Sequence, residues 1–373
     1  MPGRRLRPAL AAAAVLGALA AFHASCTRSI GPVFAAEAGA PDGAGAEGGL
    51  DVAVFEGGGE AGNTFEGDAE AGVTSNGCPA GTSSSGVVVL ATNQDGPVGI
   101  AVAGGTVYWT DEIGGTVMSV PAAGGTPTTL AAGQGAPYGI AAGASGVFWT
   151  NGSAGTVAAA AADGGAPALL ATAQVQPRGI ALQGTTVYWT NFDGDSLASA
   201  AATAAGAAEG GTGDVLAGAL AQPSAVATSA AGVFWVDQGD GTVEALPLGG
   251  GTQTTIASGQ AGATQLATDG VNVYWTDTAD AGAVMKAPVG GGSASALASA
   301  GHPWGIATDG AYVYWTSVVD GTVMRVATAG GAAETLATGQ SCPQGIAVDA
   351  ANVYWTSTGP AAGKGSIAKA TKP

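Results

Sequence analysis

An aromatic–Trp dipeptide recurs seven times along this chain, at Tyr108-Trp109, Phe148-Trp149, Tyr188-Trp189, Phe234-Trp235, Tyr274-Trp275, Tyr314-Trp315 and Tyr354-Trp355. The tryptophans are 40, 40, 46, 40, 40 and 40 residues apart. A second column keeps the same beat: Gly99-Ile100-Ala101, Gly139-Ile140-Ala141, Gly179-Ile180-Ala181, Ala225-Val226-Ala227, Gln265-Leu266-Ala267, Gly305-Ile306-Ala307 and Gly345-Ile346-Ala347. Two columns in register mean that one supersecondary unit is repeated, each copy burying its apolar face on a neighbour.

Each unit reads as four short strands. In the sixth, Gly305 to Thr308 opens a strand, Asp309-Gly310 turns it, and Val313 to Thr316 returns. Asp320-Gly321 precedes a third strand over Thr322 to Val326, and Gly330-Gly331 a fourth over Glu334 to Ala337. Asp-Gly and Gly-Gly pairs between β-prone runs accept the positive φ of tight hairpin turns. Antiparallel units of four strands at about 40 residues are the mark of propeller blades. The abundant Gly and Ala fit strands crowding an axis, and Tyr and Trp on opposite faces of the second strand fit blades packed face to face.

The last unit runs out after a third strand in Ser366 to Ala370. Val87 to Ala91 aligns with the fourth strands at Thr128-Thr129-Leu130-Ala131 and Glu334 to Ala337. The expectation is an all-β, seven-bladed β-propeller of four-stranded antiparallel blades. An N-terminal strand completes the last blade, and ring closure removes the open sheet edge. The domain spans 78–373, and it is expected as a monomer.

Tyr108-Trp109-Thr110-Asp111 and Tyr274-Trp275-Thr276-Asp277 spell YWTD, with variants ending in Asn151, Asn191, Asp237, Ser317 and Ser357. Residues 86–373 therefore resemble the YWTD-type β-propellers of lipoprotein-receptor ectodomains, and more closely the Ala/Gly-rich versions in exported bacterial proteins. Receptor examples usually have six blades, so the count of seven departs from that pattern. The resemblance implies a structural role for the motif and, by analogy only, a binding or scaffold role for the domain.

Ahead of the repeats, Arg4, Arg5 and Arg7 precede the apolar run Ala9 to Phe22, the pattern of a secretory signal over 1–25. His23-Ala24-Ser25-Cys26 resembles a bacterial lipobox, although His23 stands where an aliphatic residue is usual. Lipidation at Cys26, with membrane attachment in the cell envelope, and ordinary cleavage into a secreted form both remain open. Residues 26–77 hold nine carboxylates against Arg28 in a Gly- and Ala-rich context, a composition expected to stay disordered as a tether. In an exported protein Cys78 and Cys342 are expected to pair as a disulfide.

Ten basic against 27 acidic residues give a net charge of −17, which argues against nucleic acid as a partner. One residue just before the inner-strand marker varies most: Val98, Tyr138, Arg178, Ser224, Thr264, Trp304 and Gln344. A set mixing aromatic faces, a cation and amide donors around an axis suits a ligand site, so Tyr138, Arg178, Trp304 and Gln344 are the candidates, with His302 beside them. The competing reading is that these side chains plug the channel mouth.

Loops on the same face carry Asp111, Glu112, Asp193, Asp195, Asp237, Asp240, Asp277, Asp280 and Asp320. Asp193, Asp195, Asp237 and Asp277 are the candidate ligands for Ca²⁺ or Mg²⁺, against the plainer reading of turn-capping carboxylates. No cofactor is otherwise expected. A Ser-His-Asp triad would have to use His302, and no HExxH, CxxC or phosphate-cradling Gly-rich loop occurs. Three readings follow: a non-catalytic propeller binding a protein or glycan, a metal-dependent propeller hydrolase or lyase of lactonase type, and a structural envelope scaffold.

Overall fold

The computed structural model describes residues 84–203, 211–279 and 282–373. Cys26 and Cys78, the signal segment, the tether and Asp280 lie outside the described residues. Within them, seven four-stranded antiparallel sheets follow one another in chain order. Blade 1 comprises Pro97–Ala103, Thr106–Asp111, Thr116–Pro121 and Thr128–Ala132, from the inner strand outward. Blade 7 comprises Pro343–Val348, Asn352–Ser357 and Gly365–Thr371, and its outer strand is Val87–Gln94. That closing strand pairs from Val87 opposite Ala370 to Gln94 opposite Gly365, with two register shifts along the way. It is longer than the run expected from the sequence, because it continues past Ala91 to Gln94.

The core consists of the interfaces between blades. Trp109 packs with Leu90, Ile367 and Tyr354 of blade 7, whereas Tyr108 packs with Ile140, Val147 and Trp149 of blade 2. The second strand is thus buried on both faces, Trp toward the preceding blade and Tyr or Phe toward the following one. All seven tryptophans of the repeated dipeptide are fully buried.

Two polar ties recur across these interfaces. In six blades the Thr after the Trp accepts the inner-strand N–H of its own blade and donates to the carbonyl opening the inner strand of the next. Thr110 bridges Gly99 to Tyr138, Thr316 bridges Gly305 to Gln344, and Thr356 bridges Gly345 to Val98, which closes the circle. The donated bonds measure 2.6–3.1 Å. Blade 4 has Val236 in place of the Thr, and there the Ser224 hydroxyl donates to the Thr264 carbonyl of blade 5 at 3.1 Å. A Cβ on Gly305 would collide with the Gln344 carbonyl, as one on Gly99 would with that of Tyr138. These glycines are needed for close approach.

The second tie is the Gln column at the end of the outer strands. Gln94, Gln134, Gln174, Gln260 and Gln340 each accept the indole N–H of the next blade's Trp at 2.8–3.0 Å. The amide of each also donates to a carbonyl two residues back. Leu220 and Ala300 occupy this column in the remaining units, and the indole N–H groups of Trp235 and Trp315 have no partner.

Two stability effects follow. Thr316→Val leaves the Gly305 N–H and the Gln344 carbonyl without their bridge and should lower stability by about 1–3 kcal/mol in urea unfolding. Ala300→Gln should restore the missing acceptor for Trp315 and raise stability by about 1 kcal/mol, read as a higher midpoint at unchanged slope.

Candidate functional site

Each inner strand begins at the mouth of the axial channel, and the residue two before its Ile, Val or Leu decides what the mouth presents. A cavity of about 130 Å³ lies there, lined mostly by Gly, Ile and Val. Four of the described lining residues carry aromatic or polar side chains: Tyr138, Arg178, Gln265 and Trp304. Three of them are sequence candidates. Gln344 is not in the lining; it is buried, and its carbonyl accepts from Thr316. His302 is not in the lining either. It occupies a left-handed position (φ 48°) ahead of the inner strand, and its carbonyl accepts from the Val318 N–H at 3.3 Å.

Gln265 was missed by sequence reasoning. It stands in the column that holds Gly in five other blades, where a side chain extends the lining. The signal was the broken marker Gln265-Leu266-Ala267. Two loop residues after the second strand add to the group. The Arg178 guanidinium lies 3.5 Å from the centroid of the Phe192 ring, which restrains its plane from one side. Burial raises the carboxyl of Glu112 above its ordinary range, against the opposing charge of Arg178. Burial also pushes the Tyr138 phenol up to about 12, with Arg178 opposing and Glu112 adding. Tyr138 is therefore a neutral hydrogen-bonding hydroxyl, and the arrangement offers aromatic faces, one restrained cation and an amide.

The candidate metal ligands do not converge. Both Asp237 oxygens accept the Ala221 N–H, and Asp277 accepts that of Ala279 at 2.9 Å. Asp195 accepts from Gln222 N–H at 3.4 Å, and Asp193 is exposed. Among the described residues no group of three or more His, Cys, Asp or Glu side chains is placed to hold a metal ion. Asp195, Asp237 and Asp277 shape loops by capping backbone N–H groups. Cys342 is buried and disulfide-bonded.

Asp111 occupies a revealing place. In blades 2 and 3 the equivalent Asn151 and Asn191 donate to Gln134 and Gln174 at 3.1 and 2.9 Å. Asp111 takes the equivalent position, where its Oδ1 is buried without a hydrogen-bond partner, and a carboxyl can donate there only when protonated. Burial pushes its pKa up to about 6, against the bond from Thr116 and contact with Trp109, with Asp95 adding to the rise. A folded-state pKa above the unfolded one means that the native state holds the proton more tightly. That stability is full below about pH 4 and is lost as pH rises through 6. Asp111→Asn should therefore stabilise the protein at pH 8 by about 1–3 kcal/mol, a gain that shrinks toward pH 4. Urea unfolding of both forms across that range checks it.

The architecture and the axial mouth define the class, a seven-bladed β-propeller. No protein-family model and no curated protein matches the sequence. Solved structures with the same fold include virginiamycin B lyase from Staphylococcus aureus, at 15% identity and TM-score 0.64, over 78% of this chain and 99% of that one. A streptogramin B lyase is similar at 13% identity and TM-score 0.62, over 79% and 98% of the two chains. The WD40 domain of Neurospora crassa Pan2 is similar at 10% identity and TM-score 0.57, over 77% and 96%. At these identities the likeness is one of fold, shared by enzymes and a WD40 domain alike.

Proposed function

We propose that this protein is a non-catalytic binding module that takes a protein or glycan at the channel mouth where its inner strands begin. The observation that carries the reading is the uneven lining. A ring of near-identical units otherwise presents Gly and aliphatic side chains, yet Tyr138, Arg178, Gln265 and Trp304 interrupt it at four blades. Aromatic faces with one restrained cation suit a sugar ring or an extended peptide side chain. The rim carboxylates engaged with backbone N–H groups support binding over metal-assisted hydrolysis.

The N-terminal pattern adds a cellular setting to the proposal. Residues 1–25 direct export, Cys26 takes a lipid, and 26–77 hold the domain of residues 78–373 away from the bacterial envelope membrane. Cys78 is the proposed partner of Cys342, which non-reducing peptide mapping would identify.

Thermal unfolding tests the binding reading, run with a chelator, with Ca²⁺ or Mg²⁺, and against a panel of short glycans and peptides. A ligand at about 100 times its Kd should stabilise the fold by about 2.7 kcal/mol, an effect lost in Trp304→Ala and Arg178→Gln. A rise of several degrees with metal and none with the panel would overturn it in favour of the hydrolase or lyase reading.

A further inference from the structure

The opposite face of the ring, where inner strands turn into second strands, carries a larger pocket of about 460 Å³ between blades 6 and 7. It is lined by Asp309, Tyr312, Tyr314, Arg325 and Lys372, with small residues of the neighbouring turn. The sibling blades serve as an internal control for what the fold requires there. Tyr312 stands where the other units have Thr106, Gly146, Thr186, Gly232, Asn272 and Asn352. Arg325 stands where they have Ser119, Ala159, Ser199, Ala245, Lys286 and Lys369, and Lys372 where they have Ala122, Ala162, Ala202, Leu248, Val289 and Thr328. Three residues found once each in the repeat meet in one pocket.

Folding alone does not account for them. In blades 5 and 7, Asn272 and Asn352 donate to the Tyr274 and Tyr354 hydroxyls, which donate in turn to Asp269 and Asp349. Lys286 and Lys369 reach the next blade's carbonyls at 3.0 and 2.6 Å. Blade 6 keeps the Tyr314–Asp309 bond but replaces the Asn with an aromatic ring. Its Arg325 lies 4.2 Å from the centre of the Tyr312 ring and gives two N–H groups to the Glu334 carboxylate, at 2.8 and 2.6 Å. The remaining terminal nitrogen, Nη1, lies 3.5 Å from the Pro373 carbonyl, the outer limit of a hydrogen bond, and the guanidinium also interacts with the Tyr314 hydroxyl. Lys372 gives one N–H to Asp309 at 2.7 Å and has two more. The lining therefore holds two cations, each already paired with one carboxylate, Arg325 with Glu334 and Lys372 with Asp309, in a chain with ten basic residues and a net charge of −17.

We propose that this pocket is a second ligand site, independent of the channel mouth, for a flat small molecule bearing an anionic group. The Tyr312 ring provides the stacking surface, and Arg325 and Lys372 provide charge-assisted donors in a cleft of ordinary ligand size. A carboxylate or a phosphate on a planar ring would satisfy the same donors.

Calorimetric titration of the full chain with benzoate, its neutral counterpart benzamide, and inorganic phosphate tests this. Benzoate should bind at least tenfold more tightly than either of the others, since it alone combines ring and charge. Tyr312→Asn recreates the arrangement of blades 5 and 7, so it should unfold at an unchanged temperature and weaken benzoate binding tenfold or more. Lys372→Gln should weaken it similarly and serves if Tyr312→Asn fails to fold, while Trp304→Ala should leave it unchanged. Equal binding of benzoate and benzamide, phosphate matching benzoate, no benzoate binding, or full binding by both pocket variants would overturn the proposal.

Discussion

The ring depends on one close contact, repeated around the axis. An inner-strand N–H, usually that of a glycine, approaches the neighbouring blade's first inner carbonyl, and a threonine hydroxyl sits between them as acceptor to one and donor to the other. These groups are buried or part-buried, so each would be costly if left alone. The glycine makes the approach sterically allowed, the threonine makes it favourable, and the flanking Ile, Val or Leu fills the space outside it. Blade 4 shows that the requirement concerns the link and not the residue. Val236 cannot form it, and Ser224 supplies a hydroxyl from the neighbouring strand instead.

Outside that contact the interfaces are mainly apolar, and the indole N–H is a polar group that recurs in every blade. An indole buried to exclude water still carries an N–H, and the glutamine at the end of the preceding outer strand accepts it. Trp235 and Trp315 show that burial of the ring holds the blade even where the acceptor is missing.

Periodicity made the architecture legible. Strand number, blade number and the closing strand all follow from two columns and a count, because every copy repeats the same hairpin chemistry. The Gln column recurs at a fixed place in the sequence, but its partner was not legible, since Trp109 and Gln94 belong to different blades. Tyr138, Arg178 and Trp304 stood out by breaking a pattern. Glu112 and Phe192 did not, because their relation to Arg178 exists only once the loops of blades 1 and 3 are brought around the axis. Gln344 failed as a lining residue for a simple reason: a position in a variable column fixes the backbone, while rotamer and neighbours decide where the side chain goes. The aspartates illustrate the same limit. Their number suggested a cation site, whereas Asp237 and Asp277 spend oxygens on the backbone N–H groups of Ala221 and Ala279.

The closing strand has a mechanical consequence. Val87–Gln94 pairs only with Gly365–Thr371 in the blade sheet, and the chain that precedes it enters at its Val87 end. Once the Cys342 disulfide is reduced, a pull transmitted from the N-terminal segment reaches this outer strand first. The load falls on ladder bonds opened one after another from Ala370 onward, a peeling geometry. The inner-strand links, including Thr356 to Val98, lie off that line of force. A tug strong enough to strip the outer strand would expose the edge of one blade while the circle around the axis stayed joined.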